Sequence, residues 1–190
     1  MEFHLSSRNP EQLGILQQCD FQTQGSSLLG VPLSDGLIFC GNTGINCTNF
    51  TFVQNSIANM QGASMGIANA NAGTYVVRNN IWYGNTRGPS FGTGSGGVYT
   101  QDHNSCLNSG NCPTGTGNLT DTAAQNPFVN WPSGNFNLAA ENSDWVNRLA
   151  LSDPYAIDVN GTVRSIDRGA YQYQGAVSLI APTNLAAVAR

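Results

Sequence analysis

Lysine is absent from this chain, and all seven basic residues are arginine. Charge of either sign is scarce: 9% of the residues are charged, where about 25% is usual for a globular domain. A net charge of −4 argues against nucleic acid or an anionic membrane as partner. No apolar run reaches the length of a membrane-spanning helix. Met1-Glu-Phe-His-Leu-Ser-Ser-Arg8 has no apolar h-region, so no secretory signal is visible. There is no Gly-x-Ser-x-Gly elbow either. Ser95 lies in Gly94-Ser95-Gly96, a flexible loop and not the strained turn that exposes a nucleophile, which disfavours a serine hydrolase. Hydrophobic residues make up only 40%, and 22 glycines with abundant Asn argue for many turns between short strands. At 190 residues this is one domain's worth of chain.

What is present is a repeated phrase. Thr74-Tyr-Val-Val-Arg-Asn-Asn-Ile-Trp-Tyr-Gly-Asn85 joins apolar alternation to a polar step at Asn79 and Asn80, then returns to apolar residues. Phe50-Thr-Phe-Val-Gln-Asn-Ser-Ile-Ala-Asn-Met60 says the same one period earlier. Asn55 then falls on Asn79 and Ile57 on Ile81, at an offset of 24 (79 − 55). Ile15-Leu-Gln-Gln-Cys-Asp-Phe-Gln22 is a fainter copy, with Cys19 and Phe21 in those slots at an offset of 36 (55 − 19). One short β unit per 20–50 residues is the mark of stacked repeats. Each copy is too short to bury itself, so it lies in register on its neighbour about 4.8 Å away. Ile57 is expected over Ile81, and Asn55 over Asn79 at a bend, each inward amide bond contributing roughly 1 kcal/mol net. Val98-Tyr-Thr-Gln-Asp-His-Asn-Ser-Cys106 begins another repeat with Asn104 at its bend, while 86–97 and 108–118 read as lateral excursions.

These phrases resemble right-handed parallel β-helices of the pectate-lyase-like superfamily. The C-terminal half sharpens the resemblance. Thr122-Ala-Ala-Gln-Asn-Pro-Phe-Val-Asn130 with Ser133-Gly-Asn-Phe-Asn-Leu138 is similar to that family's closing "D-P-x-F-V-N-P…G-D-F-H-L". Ala156-Ile-Asp-Val-Asn-Gly-Thr-Val-Arg164 and Ile166-Asp-Arg-Gly-Ala-Tyr-Gln-Tyr173 resemble its "D-x-D-G-x-x-R…D-I-G-A-Y-E". Asn126 and Asn135 replace acidic residues of the pattern, and a divergent stretch from Ser143 to Ile157 replaces "S-P-A-I-D-A-G". The resemblance implies an all-β fold: a short right-handed parallel β-helix over 15–175 with a C-terminal β-hairpin cap. Residues 1–14 then read as a leader or cloning remnant, in front of a fragment of a longer β-helix. Residues 176–190 read as a linker towards a missing fibronectin-III-like module. A secreted or cell-surface origin is implied, with homodimerisation through the open strand edge at Ile15 to Phe21.

The resemblance implies a carbohydrate-active hydrolase or lyase, with a polysaccharide or small-molecule substrate. The family's glycosidase strings (Asn-Thr-Asp, Asp-Asp, Gly-His-Gly, Arg-Ile-Lys), needed to flank a glycosidic bond with acid and base, are absent. Lyases that pair a Lys base with an Arg are excluded by the lack of lysine. An Arg base with Ca²⁺ neutralising a uronate carboxylate fits what remains, with Arg78 and Arg87 as candidates beside a strand. Asp102-His103 is the most chemical-looking dyad, a general acid/base pair by composition. Neighbours on a strand nevertheless point to opposite faces. Asp121, Asp144 and Asp153, with loop carbonyls, are the candidate Ca²⁺ ligands. Two further readings compete: a non-catalytic glycan-binding or adhesin-like stalk, and a hydrolase of a non-glycan ester or lactone through a grafted site. Substrate is expected along the outer face of one parallel sheet, walled by the two excursions.

Three smaller expectations concern structure. Asn160-Gly161 between apolar runs predicts a type I′ hairpin turn, because the segment lacks the later ligands of a calcium loop. Arg164 and Asp167 are expected in structural ion pairs, for instance Arg164 with Asp158. Cys40 with Cys47, and Cys106 with Cys112, are spaced to staple an excursion and not to hold zinc, leaving Cys19 as a buried thiol.

Overall fold

The computed structural model describes residues 15–17, 20–22, 38–39, 50–60, 66–67, 73–86, 88–91, 97–110, 112–146, 148–151 and 155–175. The leader, the 176–190 segment, Cys19, Cys40 and Cys47 lie outside the described residues. Among the described residues every regular element is a β-strand, apart from one 3-10 turn at Trp131–Ser133.

Strands β4 (Phe50–Val53), β7 (Gly73–Arg78) and β10 (Gly97–Asp102) are rich in aromatic and β-branched residues, which suit a pleated surface. Each ends at a residue that leaves the extended region: Gln54, Asn79 and His103 have φ of 58°, 57° and 54°. That left-handed geometry bends the chain sharply into β5 (Ser56–Ala58), β8 (Ile81–Tyr83) and β11 (Ser105–Leu107). A second left-handed column, Asn59, Gly84 and Asn108 at 56°, 63° and 46°, ends those strands in turn. Asn, His and Gly tolerate this conformation best, which is why they recur at corners.

Three parallel sheets result. The first is ordered β1-β4-β7-β10, with β1 at Ile15–Gln17. The second is ordered β12-β11-β8-β5-β2, with β2 at Asp20–Gln22 and β12 at Leu119–Asp121. The third is ordered β3-β6-β9, from Ile38–Phe39, Gly66–Ile67 and Ser90–Phe91. From β1 to β9 the chain visits the three sheets in the same cyclic order three times, and after β10 and β11 it returns directly to the second sheet at β12. Phe52 of β4 meets Trp82 of β8 at 6.4 Å between ring centroids, so the first two sheets close on a shared interior.

The register confirms one expected offset and corrects the other. Phe21 pairs with Ile57, as the offset of 36 requires. Between the next two copies the offset is 25, so Asn55 matches Asn80, and Ile57 pairs with Trp82 instead of Ile81. The reason is the period-2 alternation of a strand. An offset of 24 would set Phe52 opposite the outward Val76 and turn its ring to solvent. At the observed register Phe52 lies opposite the buried Val77.

Through this register runs an amide ladder. Asn55 Nδ2 donates to Asn80 Oδ1 at 3.1 Å, Asn80 Nδ2 to Asn104 Oδ1 at 2.9 Å, and Asn104 Nδ2 to Asn118 Oδ1 at 3.1 Å. Each Oδ1 also accepts the backbone N–H of the preceding asparagine, at 2.9, 3.0 and 2.8 Å. The second amide hydrogen of each goes to a strand carbonyl: Val53, Phe52 and Val77. Asn79 is buried too, but its side chain exchanges both bonds with the backbone of Leu149, at 2.8 Å each.

Strands β5, β8 and β11 are apolar on both faces, so the face away from the interior also needs cover. Residues beyond Asp121 supply it. Ala58, Ile81 and Leu107 form a buried cluster with Phe128, Phe136, Leu138, Trp145 and Ala170. Part of that cover is an antiparallel pair that the sequence reading did not anticipate, β13 (Phe128–Asn130) with β14 (Asn135–Leu138). It lies against the side of the second sheet, where Phe128 meets Tyr83 edge-on at 6.3 Å, and not across the end of the stack. Residues 168–170 cross the strands of that sheet. Arg168 Nη1 donates to Asn104 O at 2.7 Å and Ser105 Oγ at 2.8 Å, and Ala170 N donates to Ser56 Oγ at 3.0 Å. Of the cysteine pairs, Cys106 and Cys112 are joined by a disulfide.

Replacing Asn80 by Ala removes the acceptor shared by the Asn55 backbone N–H and side-chain amide, together with one of the two donors to Asn104 Oδ1. The expected loss in urea unfolding is about 3 kcal/mol, the upper end for buried unsatisfied groups. Two glycines separate backbone strain from crowding. A Cβ on Gly84 (φ 63°) meets nothing within 4 Å, whereas one on Gly117 (φ 69°) would sit 2.7 Å from the His103 ring. Gly84→Ala is expected to lower stability by about 1–2 kcal/mol, the left-handed cost alone. Gly117→Ala should cost distinctly more in the same assay.

Candidate functional site

Parallel pairing sets Arg78, at the end of β7, directly beside Asp102, at the end of β10. Both lie on the face of the first sheet that points away from the shared interior, since Tyr75 and Val77 alternate inward. The guanidinium grips the carboxylate with two bonds, Nε to Oδ1 and Nη2 to Oδ2, the latter at 2.7 Å. Burial pushes the Asp102 carboxyl up, but the bonds and charge of Arg78, with a smaller part from His103, outweigh it and hold it below its ordinary value. His103 comes next in the chain and occupies the left-handed corner. Its ring lies over Gly117, and Nδ1 stands 3.6 Å from Asp102 Oδ1, beyond a direct hydrogen bond. Arg78, Asp102 and His103 are therefore brought together, as residues one repeat apart and at one corner should be.

Arg87 and Asp153 fall outside the described residues. Asp121 Oδ1 accepts the backbone N–H of Ala123 at 2.8 Å in an exposed turn. Asp144 sits in a turn where its carbonyl accepts the Ser105 hydroxyl, and its carboxylate faces the hydroxyl of Ser143 at 3.5 Å. Among the described residues, no three of His, Cys, Asp and Glu gather where they could hold a metal ion. Asn126 and Asn135 act locally: Asn126 Oδ1 accepts Phe128 N at 3.0 Å, and Asn135 Oδ1 accepts Asn137 N at 3.1 Å.

A second polar region lies in the lateral cover. Ile157 and Val163 form an antiparallel bridge, with Asp158 N donating to Thr162 O at 2.8 Å. A type I′ turn needs positive φ at both central residues, but of Asn160 and Gly161 only Gly161 has it, at 81°. The loop is instead a turn closed by Gly161 N to Asp158 O at 3.0 Å, followed by the left-handed glycine. Asp158 is spent on backbone, accepting Thr162 N at 2.7 Å and Gln172 N at 2.9 Å, and so does not pair directly with Arg164. Arg164 donates to the carbonyls of Ile157 at 3.2 Å and Ala170 at 2.6 Å. Burial is the main reason its pKa falls to about 10, with Asp158 opposing the fall. Asp167 accepts Tyr173 N at 2.7 Å and the Gln172 side chain, while its Oδ1 is buried without a partner. Burial raises its pKa.

Beside this region a cleft of about 570 Å³ opens, lined by Asn137, Leu138, Asn160, Thr162, Gln172 and Gln174. Sequence reasoning passed over it because its lining comes from three separated segments and carries no ionisable residue. The available signal was Asn135-Phe-Asn-Leu138, whose alternation aims Phe136 and Leu138 into the core and presents Asn137 outward. Comparison with family models, with curated proteins and with solved structures finds no match to this chain.

Asp102 and Asp167 give pH dependences of opposite sign. The folded state depresses the Asp102 pKa, so its stabilisation is full above the unfolded carboxylate value, near 4, and is lost as pH falls through the folded value. The folded state raises the Asp167 pKa, so its contribution is full in acid and declines as pH rises from the unfolded value through the folded one. Stability measured from acid to neutral pH is expected to lose less on acidification in Asp102→Asn, and to decline less towards neutrality in Asp167→Asn.

Proposed function

We propose that this chain is a short right-handed parallel β-helix that binds an extracellular glycan without cleaving it. Three parallel sheets visited in cyclic order support the coil, and parallel β crossovers are right-handed in about 98% of cases. The carrying observation for the absence of catalysis is the closed Arg78–Asp102 pair. A general acid or base works best with a pKa near the operating pH. Asp102 is shifted the other way, and the guanidinium holds both of its oxygens. His103 serves as a corner residue, the same place that Gln54 and Asn79 take in earlier repeats. The glycan as ligand rests on the β-helix resemblance and on a surface furnished with amides in place of charges. A secreted or cell-surface location suits the Cys106–Cys112 disulfide.

The test is incubation with neutral and uronate-containing polysaccharides, following retention on the insoluble polymer alongside release of reducing ends and unsaturated products. Retention without products is expected, unchanged by chelator. Turnover that disappears in Asp102→Ala/His103→Ala, or that falls with chelator and returns with calcium, would replace this reading with the hydrolase or lyase one.

A further inference from the structure

We propose that the cleft between β14, the 157–163 hairpin and residues 172–174 is the glycan site, and that it takes a neutral, hydroxyl-rich chain; this assignment rests on the binding reading above. Its volume of about 570 Å³ falls within the roughly 300–1,000 Å³ of small-molecule sites. Five of its six lining side chains are amides or a hydroxyl, and none is charged. Each amide offers both a donor and an acceptor, which is what a sugar hydroxyl, itself both, can satisfy at short spacing. A uronate or a phosphate would find no cation in the lining to balance its charge.

The floor and the walls differ in rigidity. Gln172 is only 8% exposed, and both ends of its amide are fixed: Oε1 accepts Ser165 N at 2.7 Å and Nε2 donates to Asp167. Asn160 Nδ2 reaches across the cleft to Asn137 Oδ1 at 3.1 Å, and Gln174 Nε2 donates to Thr162 Oγ1. These bridges are solvent-exposed and neutral, so a ligand hydroxyl can replace either one at little cost. The side-chain oxygens of Asn160 and Gln174 and the Asn137 Oδ1 released by the opened bridge then face the ligand, while Asn137 Nδ2 stays on Asn135 Oδ1 at 2.9 Å. Ligand specificity thus comes from an anchored floor and exchangeable rims.

The experiment titrates isotope-labelled chain with cellohexaose, mannohexaose, xylohexaose and, as a charged counterpart, hexagalacturonate, following side-chain amide resonances by NMR. At least one neutral hexaose is expected to shift the amides of Asn137, Asn160, Gln172 and Gln174, with hexagalacturonate binding more weakly. Asn137→Ala/Gln174→Ala alters two exposed side chains. It should weaken that binding about tenfold, the worth of one to two hydrogen bonds, with an unchanged melting midpoint. Binding that shifts only resonances elsewhere overturns the cleft and leaves the binding reading intact. Preference for hexagalacturonate overturns the neutral ligand class. Sugar products in the tube overturn the non-catalytic reading, while the shifts still decide the cleft. No binding by any of the four probes overturns both.

Discussion

The asparagine ladder is the constraint on which the rest of this structure depends. An amide turned inward at a corner costs more than it returns unless both ends are bonded, because a buried unsatisfied donor carries its full desolvation penalty. Asn55, Asn80, Asn104 and Asn118 meet that condition only collectively, each closing the bonds of the one before. The ladder ends at Asn118, whose amide hydrogens go to the carbonyls of Gln101 and Pro113. Register follows from the ladder, and from register follow both the stacked interior and the pairing of Arg78 with Asp102. The candidate catalytic pair is thus a consequence of the repeat: two outward positions, one period apart, that carry opposite charge.

Much of the fold was legible because repetition writes the same physics more than once. The offset of 36 placed Phe21 on Ile57 correctly, and Asn104 was recognised at its bend. The error at Asn79 is instructive. Two adjacent asparagines offer two alignments, and matching Asn55 to the first also matches Ile57 to Ile81, which looks better letter by letter. The corner columns decide otherwise. Asn59 over Gly84, and Gln54 over Asn79, put left-handed residues in line only at an offset of 25, and that shift also sets aromatic Phe50 on Tyr75. Backbone conformation was the stronger signal, and residue identity the weaker.

The lateral cover was harder to read. Its phrases are recognisable, but sequence order says nothing about whether a terminal hairpin closes the end of a stack or lies along its flank. The information was in the three-residue strands. Ser56-Ile-Ala, Ile81-Trp-Tyr and Ser105-Cys-Leu have apolar residues at alternating and at flanking positions alike, so neither face can be left in water. Such strands need a second layer. The cleft exists only because that layer arrives as three separate segments whose polar edges meet.

The absence of lysine then acquires a physical sense. Arg148, Arg164 and Arg168 all lie in the cover, and all donate to backbone carbonyls: Arg164 O, Ala170 O and Asn104 O among them. Arg168 alone spans Asn104, Ser105 and Gly117, pinning the cover to two passes of the chain at once. A planar fork with five donors can do this, whereas a compact ammonium is more strongly hydrated and loses its charge more readily when buried. Burial lowers the pKa of Arg164 and Arg168 to about 10, which still leaves both guanidinium groups charged at neutral pH. Lysine subjected to the same burial starts from a lower value and would approach neutrality, losing the donors that hold the cover in place. In a chain with so few charges, these three arginines serve as multidentate donors to backbone at the joint between layers. That role leaves the open cleft to neutral amides.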